Sequence, residues 1–156
     1  LDLLGRDEAV RRVLSHRRNA NLVDIASAPG LCGPLLALMN TTGDRPTPLL
    51  VVTATGRDAG DLVTALRTLL GDDAVAEFPS WETLPHERLS PRSDTVGRRL
   101  AVLRRLAHPD ADDSSHGPIQ VLVASVRAVM QPLAKGLGDL APVSLRTGQQ
   151  ADLETS

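Results

Sequence analysis

Apolar side chains in this sequence come either in short continuous runs or at every third and fourth position, and the two patterns alternate as strands and helices do. Ala9, Val10, Val13 and Leu14 share one side of a helix predicted over 6–16, with Asp7 and Glu8 in its opening turn. Arg11, Arg12, Arg17 and Arg18 fill the remainder and read as a solvated face. Leu22 to Ala26 is an apolar run of strand length, followed by a loop of small residues from Ser27 to Gly33 and a helix carrying Leu35, Leu38 and Met39. Leu49 to Ala54 repeats the strand signal. Thr55 then caps a helix whose third residue, Asp58, completes an acidic capping box; Leu62, Val63, Leu66, Leu69 and Leu70 form its apolar face and Gly71 ends it.

Ala74 to Phe78 predicts a further strand, and Pro79, Pro85 and Pro91 then rule out regular helix or central strand. A helix opens at Ser93 with Val96, Leu100, Leu103 and Ala107 at helical spacing and Arg98, Arg99, Arg104 and Arg105 beside them, and His108 closes it. Pro109 to Pro118 is almost free of apolar residues and reads as a solvated loop. Ile119 to Ala124 is the clearest strand, and Ser125 caps a helix bearing Val126, Val129, Met130 and Leu133 that Pro132 ends near Gln131. Val143 to Leu145 starts one more strand. Nearly continuous apolar strands separated by helix-length segments imply an α/β fold, a parallel sheet flanked by helices on both faces. One domain accounts for 1–142, while 143–156 read as the beginning of a second that the chain does not complete.

Composition narrows the function. With 17 basic and 19 acidic side chains, bulk charge gives no support to nucleic-acid binding. Phe78 and Trp81 are the only aromatics, too few for platforms on which exposed bases stack. One Cys excludes an intramolecular disulfide framework, and no cluster has structural-zinc spacing, so no metal site is expected. No run approaches the roughly 18 apolar residues of a membrane span, and Leu1 to Gly5 lack signal-peptide character, so the chain reads as cytoplasmic with no membrane partner.

The loop after the first predicted strand occupies the place of a phosphate-binding glycine loop. Aligned on G-x-x-x-x-G-K-[ST], the chain reads Ala28-Pro29-Gly30-Leu31-Cys32-Gly33-Pro34-Leu35. Pro34 replaces the lysine that reaches the terminal phosphates, and Leu35 replaces the hydroxyl that holds Mg²⁺, whereas Gly33-Pro34 still makes a good helix start. A tight strand-to-helix turn without nucleotide chemistry follows. Cys32 is a small residue in that turn unless a histidine approaches it, and nothing places His16, His86, His108 or His116 there. His86-Glu87 lacks the second histidine of a zinc-protease helix, because Ser90 stands in its place. Glu82 and Glu87 are open to a paired-carboxylate reading, against which ordinary loop hydrogen bonding is favoured. His86 to His108 holds six Arg against Glu87 and Asp94 and is open to contact with phosphates or an acidic surface, but with 16 Arg and one Lys in the chain a solvated face is favoured.

The stretch from Phe78 to Leu106 closely resembles the N-terminal, UvrB-like region of the bacterial transcription-repair coupling factor family, Mfd. Trp81-Glu82-Thr83-Leu84-Pro85, Glu87, Ser90-Pro91, Asp94 and Gly97 through Leu100 carry the match. Val121 to Val126 with Met130-Gln131-Pro132 is similar to the next strand and helix, and Leu145 to Gln149 to the start of the following domain. The Arg-rich, Lys-poor composition is similar to that of actinobacterial proteins.

The resemblance implies a RecA-like domain whose phosphate loop is degenerate, in agreement with Pro34 and Leu35. It implies a full-length protein that displaces stalled RNA polymerase at lesions by ATP-driven translocation on DNA and recruits UvrA for nucleotide excision repair, with ATP and Mg used by a downstream motor. UvrA contact belongs to the adjoining second domain, and RNA polymerase and duplex DNA to downstream domains. The connection from Trp81 to Ser93 is too short for the aromatic hairpin with which UvrB clamps damaged DNA. The chain is therefore expected to be a non-enzymatic scaffold without cofactor that supports its neighbour and contacts the rest of the polypeptide. The alternatives are a weak nucleotide-sensing module and a DNA-contacting module using Arg98, Arg99, Arg104 and Arg105.

Overall fold

The computed structural model describes residues 1–41, 48–83 and 90–140. Two helices open the chain, α1 (Asp2–Arg6) and α2 (Glu8–Asn19). The single helix expected over 6–16 is corrected to this pair. Asp7 has extended backbone between them, and its carboxylate accepts the amides of Ala9 at 2.9 Å and Val10 at 3.1 Å, so it caps α2 instead of lying within it.

The strand expected at Leu22 to Ala26 is also corrected, because those residues lie outside every helix and strand. An apolar run becomes a strand only beside a partner edge. Here Ile25 and Ala26 instead line a cleft with Leu4, Val10 and Val13 of α1 and α2, and Leu22 is 80% exposed. A 3₁₀ turn, Pro29–Leu31, leads into α3 (Cys32–Thr41). The helix thus begins at Cys32, and Pro34 is its third residue; none of the first four amides has a partner within a helix, so Pro34 is tolerated there.

The sheet comprises β1 (Leu49–Thr53), β2 (Val75–Phe78) and β3 (Val121–Ser125), all parallel in the order β1-β3-β2. Helix α4 (Gly56–Leu70) crosses from β1 to β2 over two positions, and α5 (Ser93–Ala107) returns one position to β3. Crossovers of one hand that run in opposite directions place their helices on opposite faces. Accordingly Ala59, Val63 and Leu66 of α4 and Ala37 of α3 pack with Val75, Val121 and Val123 on one face. Val102 of α5 and Ala128 of α6 (Val126–Met130) pack with Ala76, Phe78 and Ala124 on the other.

Local chemistry fixes the element ends. The Thr55 hydroxyl accepts the Asp58 amide at 3.1 Å and bonds the Asp58 carboxylate at 2.7 Å, and Gly71 ends α4 at φ +95°, a backbone that favours glycine. The Ser125 hydroxyl caps α6, which stops before Pro132 as expected, so Leu133, expected on its apolar face, lies beyond the helix. On α5 the buried residues are Thr95, Arg99 and Val102, whereas Leu100 is 46% exposed. The expected stripe of Val96, Leu100, Leu103 and Ala107 is thus rotated, because Arg99 takes the inward place beside two aromatic rings. Pro85, His86 and Glu87, the strand expected at Val143 to Leu145 and the boundary at 142 lie outside the described residues.

Candidate functional site

The chain's two aromatics meet at the carboxyl end of the sheet, where open parallel α/β sheets place their ligands. Phe78 is the last residue of β2 and Trp81 lies three positions beyond it. Arg99 projects from the middle of α5 between them, its Cζ 4.1 Å from the Phe78 ring centroid and 4.2 Å from that of Trp81. Its Nη1 donates to the Pro79 carbonyl at 2.7 Å, and the residue is only 1% exposed. Nε and Nη2 are buried without a hydrogen-bond acceptor. Burial lowers the Arg99 pKa from its ordinary value.

The irregular segment is pinned by three side chains, one from α5 and two from α6 and its C-terminal cap. The Trp81 amide donates to Gln131 Oε1 at 2.7 Å, and Gln131 Nε2 donates back to the Trp81 carbonyl at 3.4 Å. The Thr95 hydroxyl donates to the Glu82 carboxylate, and this bond holds Glu82 below the usual carboxylate range. Arg127 of α6 donates to the Glu82 carbonyl at 3.4 Å. Trp81 is therefore an anchor of this segment. Glu82 is engaged by Thr95, while Glu87, the other half of a carboxylate pair, lies outside the described residues.

The four arginines of α5 do not form one solvated face, which corrects that expectation. Arg98 pairs with Glu77 at 2.7 Å and Arg99 is stacked inside. Arg104 has a buried Nε, and Arg105 donates to the carbonyls of Gly117, at 2.8 Å, and Asp73. Backbone carbonyls and rings claim most of the guanidinium chemistry because α5 lies over strand ends whose carbonyls need donors. The inward role of Arg99 was missed by reading apolar spacing alone; the available signal was a cation one helical turn from Thr95 and three residues from Val102, close in sequence to both aromatics.

At the loop of the degenerate phosphate motif, Leu31 N bonds Ala28 O at 2.9 Å and Gly33 is buried, where an added Cβ would lie 3.5 Å from that of Ala65 on α4. That distance is an ordinary van der Waals contact, so α3 packs on α4 here without requiring glycine. Gly30 is exposed, and Pro34 and Leu35 are half-buried. Cys32 is an exposed free thiol.

One Ser-His-Asp group does form, in the turn after α5. His116 Nδ1 lies 2.7 Å from Asp113 Oδ2 and 3.0 Å from Ser115 Oγ, and Ser115 Oγ is 2.6 Å from Asp113 Oδ1. Serine and aspartate share a single imidazole nitrogen, so the relay of a hydrolase, which needs one partner on each nitrogen, is not assembled. The group instead draws the Asp113 carboxyl down to about 2, chiefly through the Ser115 hydrogen bond and then that of His116. Among the described residues no group of three or more His, Cys, Asp or Glu could hold a metal, and no helix is long and apolar enough to cross a membrane.

No family model matches the chain. It is 56% identical over 110 residues to the transcription-repair-coupling factor of Mycobacterium bovis, and equally to that of Mycobacterium tuberculosis, a match covering 70% of this chain and 9% of each relative. The resemblance carried by the Trp81 to Leu100 motif is thereby borne out: over most of its length this chain is a relative of a short part of the mycobacterial transcription-repair-coupling factors.

Proposed function

We propose that the chain is a scaffold and interaction module of a transcription-repair coupling factor, an α/β unit that performs no catalysis itself and presents a surface to the remainder of a much longer polypeptide. The observation that carries this reading is an uncovered apolar face. Among the described residues β1 is an edge strand; its Leu50 and Val52 are 54% and 48% exposed, and Val129 and Leu133, which line one groove with Leu50, are 48% and 52% exposed. Contiguous apolar surface of this kind beside an open strand edge belongs against protein. In the whole protein the module would support the adjoining domain that recruits UvrA, while ATP-driven translocation on duplex DNA and displacement of stalled RNA polymerase would fall to downstream domains.

The substitutions at Pro34 and Leu35 speak against nucleotide sensing, and the inward engagement of the α5 arginines speaks against a DNA-contacting helix. Calorimetric titration of the 156-residue chain with MgATP should give no heat; saturable binding in the micromolar range would overturn the scaffold reading. Val52→Asp with Val129→Asp, placed in a polypeptide of the relatives' length, should raise its susceptibility to proteolysis while leaving the thermal transition of the 156-residue chain unchanged. Unaltered proteolysis of the long polypeptide would count against the apolar face as the interaction surface.

A further inference from the structure

The guanidinium of Arg99 combines deep burial, cation–π contact with two rings and two unmet donors. A buried charge is costly unless it is paired and hydrogen-bonded, and an orphaned buried donor in a native protein requires an explanation. Stacking on Phe78 and Trp81 and the bond to Pro79 satisfy part of this demand. What remains is specific: Nε and Nη2 are the adjacent donors that form the side-on fork of arginine, the edge that binds a two-oxygen anion through parallel bonds. Among the described residues, the carboxylates of the neighbouring segment are committed elsewhere, Glu77 to Arg98 and Glu82 to Thr95.

We infer that the Arg99 fork, held between Phe78 and Trp81, is a receptor for the carboxylate of an Asp or Glu side chain presented by another protein segment. Ring shape selects the class. Both rings present their faces to Cζ, at 4.1 and 4.2 Å, so an anion lying in the guanidinium plane at the fork sits beside them. A planar carboxylate extends that plane through the fork. A tetrahedral phosphate or sulfate directs oxygens toward the ring faces, which carry negative charge density and repel them. Because both donors are out of contact with solvent, binding is accompanied by movement at Trp81, the partly exposed wall.

Trp81 is the sole tryptophan and the chain has no tyrosine, so its emission reads the site directly. In the 156-residue chain, sodium acetate titrated at constant ionic strength against chloride should produce a saturable change in Trp81 emission, while sulfate should not. Arg99→Lys keeps the charge without the fork and should weaken the acetate response by roughly tenfold or more, as loss of a hydrogen bond to a charged group does. Should that variant misfold, the Nε–H resonance of Arg99 in the unaltered protein serves instead and should move downfield with acetate. An absent response, a response undiminished in folded Arg99→Lys, or an equal response to sulfate would each overturn the proposal. In a polypeptide of the relatives' length, a resonance already downfield and insensitive to acetate would assign the acid to the same polypeptide; a retained response would assign it to a second protein.

Discussion

Trp81 contributes through its ring and its backbone at once. Trp81→Phe keeps a ring over Arg99 and should change stability by less than about 1 kcal/mol, whereas Trp81→Ala removes both stacking and buried area and should lose about 2–4 kcal/mol. Urea unfolding followed by circular dichroism checks both. Asp113 has a separate signature in pH. Its carboxyl is held at about 2, below the ordinary carboxylate value, so the turn it anchors is fully supported above the ordinary value and loses that support as pH falls toward 2. Carboxyl carbon shifts in an NMR titration should place the Asp113 midpoint near 2, and Ser115→Ala should raise it. These side chains were legible to different degrees. Thr55, Ser125 and Gly71 act through neighbours one to four residues away, and the sequence displays those neighbours. Arg99 acts through rings some twenty positions earlier, so its place depended on the packing of α5 against β2.

At the scale of elements, α4 owes its definition to its ends and to one buried stripe. Thr55→Ala should cost about 1 kcal/mol through the lost cap, and Leu66→Ala, at a site with no exposed surface, about 2–5 kcal/mol. Guanidinium denaturation distinguishes the two. Periodicity revealed α4, α5 and the three strands because each carries its own apolar pattern. It failed at Leu22 to Ala26, where the pattern specifies an extended apolar segment but not the partner beside it, and at Asp7, where a strong cap divides one helical pattern into two helices.

For the whole molecule, the apolar face beside β1 should favour association of the isolated chain with itself. Sedimentation of the 156-residue chain should show association that rises with protein concentration and is suppressed by Val52→Lys, a charge of the kind that protects exposed edges. The parallel topology itself followed from the alternation of strands and helices. The strand order β1-β3-β2 did not, because it depends on which apolar runs find each other across about 46 and 72 residues.

The arginines of α5 bear on the geometry of the layer. Arg99 reaches the Pro79 carbonyl just past one end of β2, and Arg105 the Asp73 carbonyl just before the other. The six residue steps from Arg99 to Arg105 rise about 9 Å along the helix, and their carbonyl acceptors bracket the four residues of β2. The two side chains thus grip carbonyls at opposite ends of the strand. Helix and strand are thereby latched at both ends, and α5 cannot slide by a single turn without releasing both arms. An alanine inserted between Arg99 and Arg105 would lengthen the helix and rotate one arm away from its acceptor, uncoupling the two ends of the sheet.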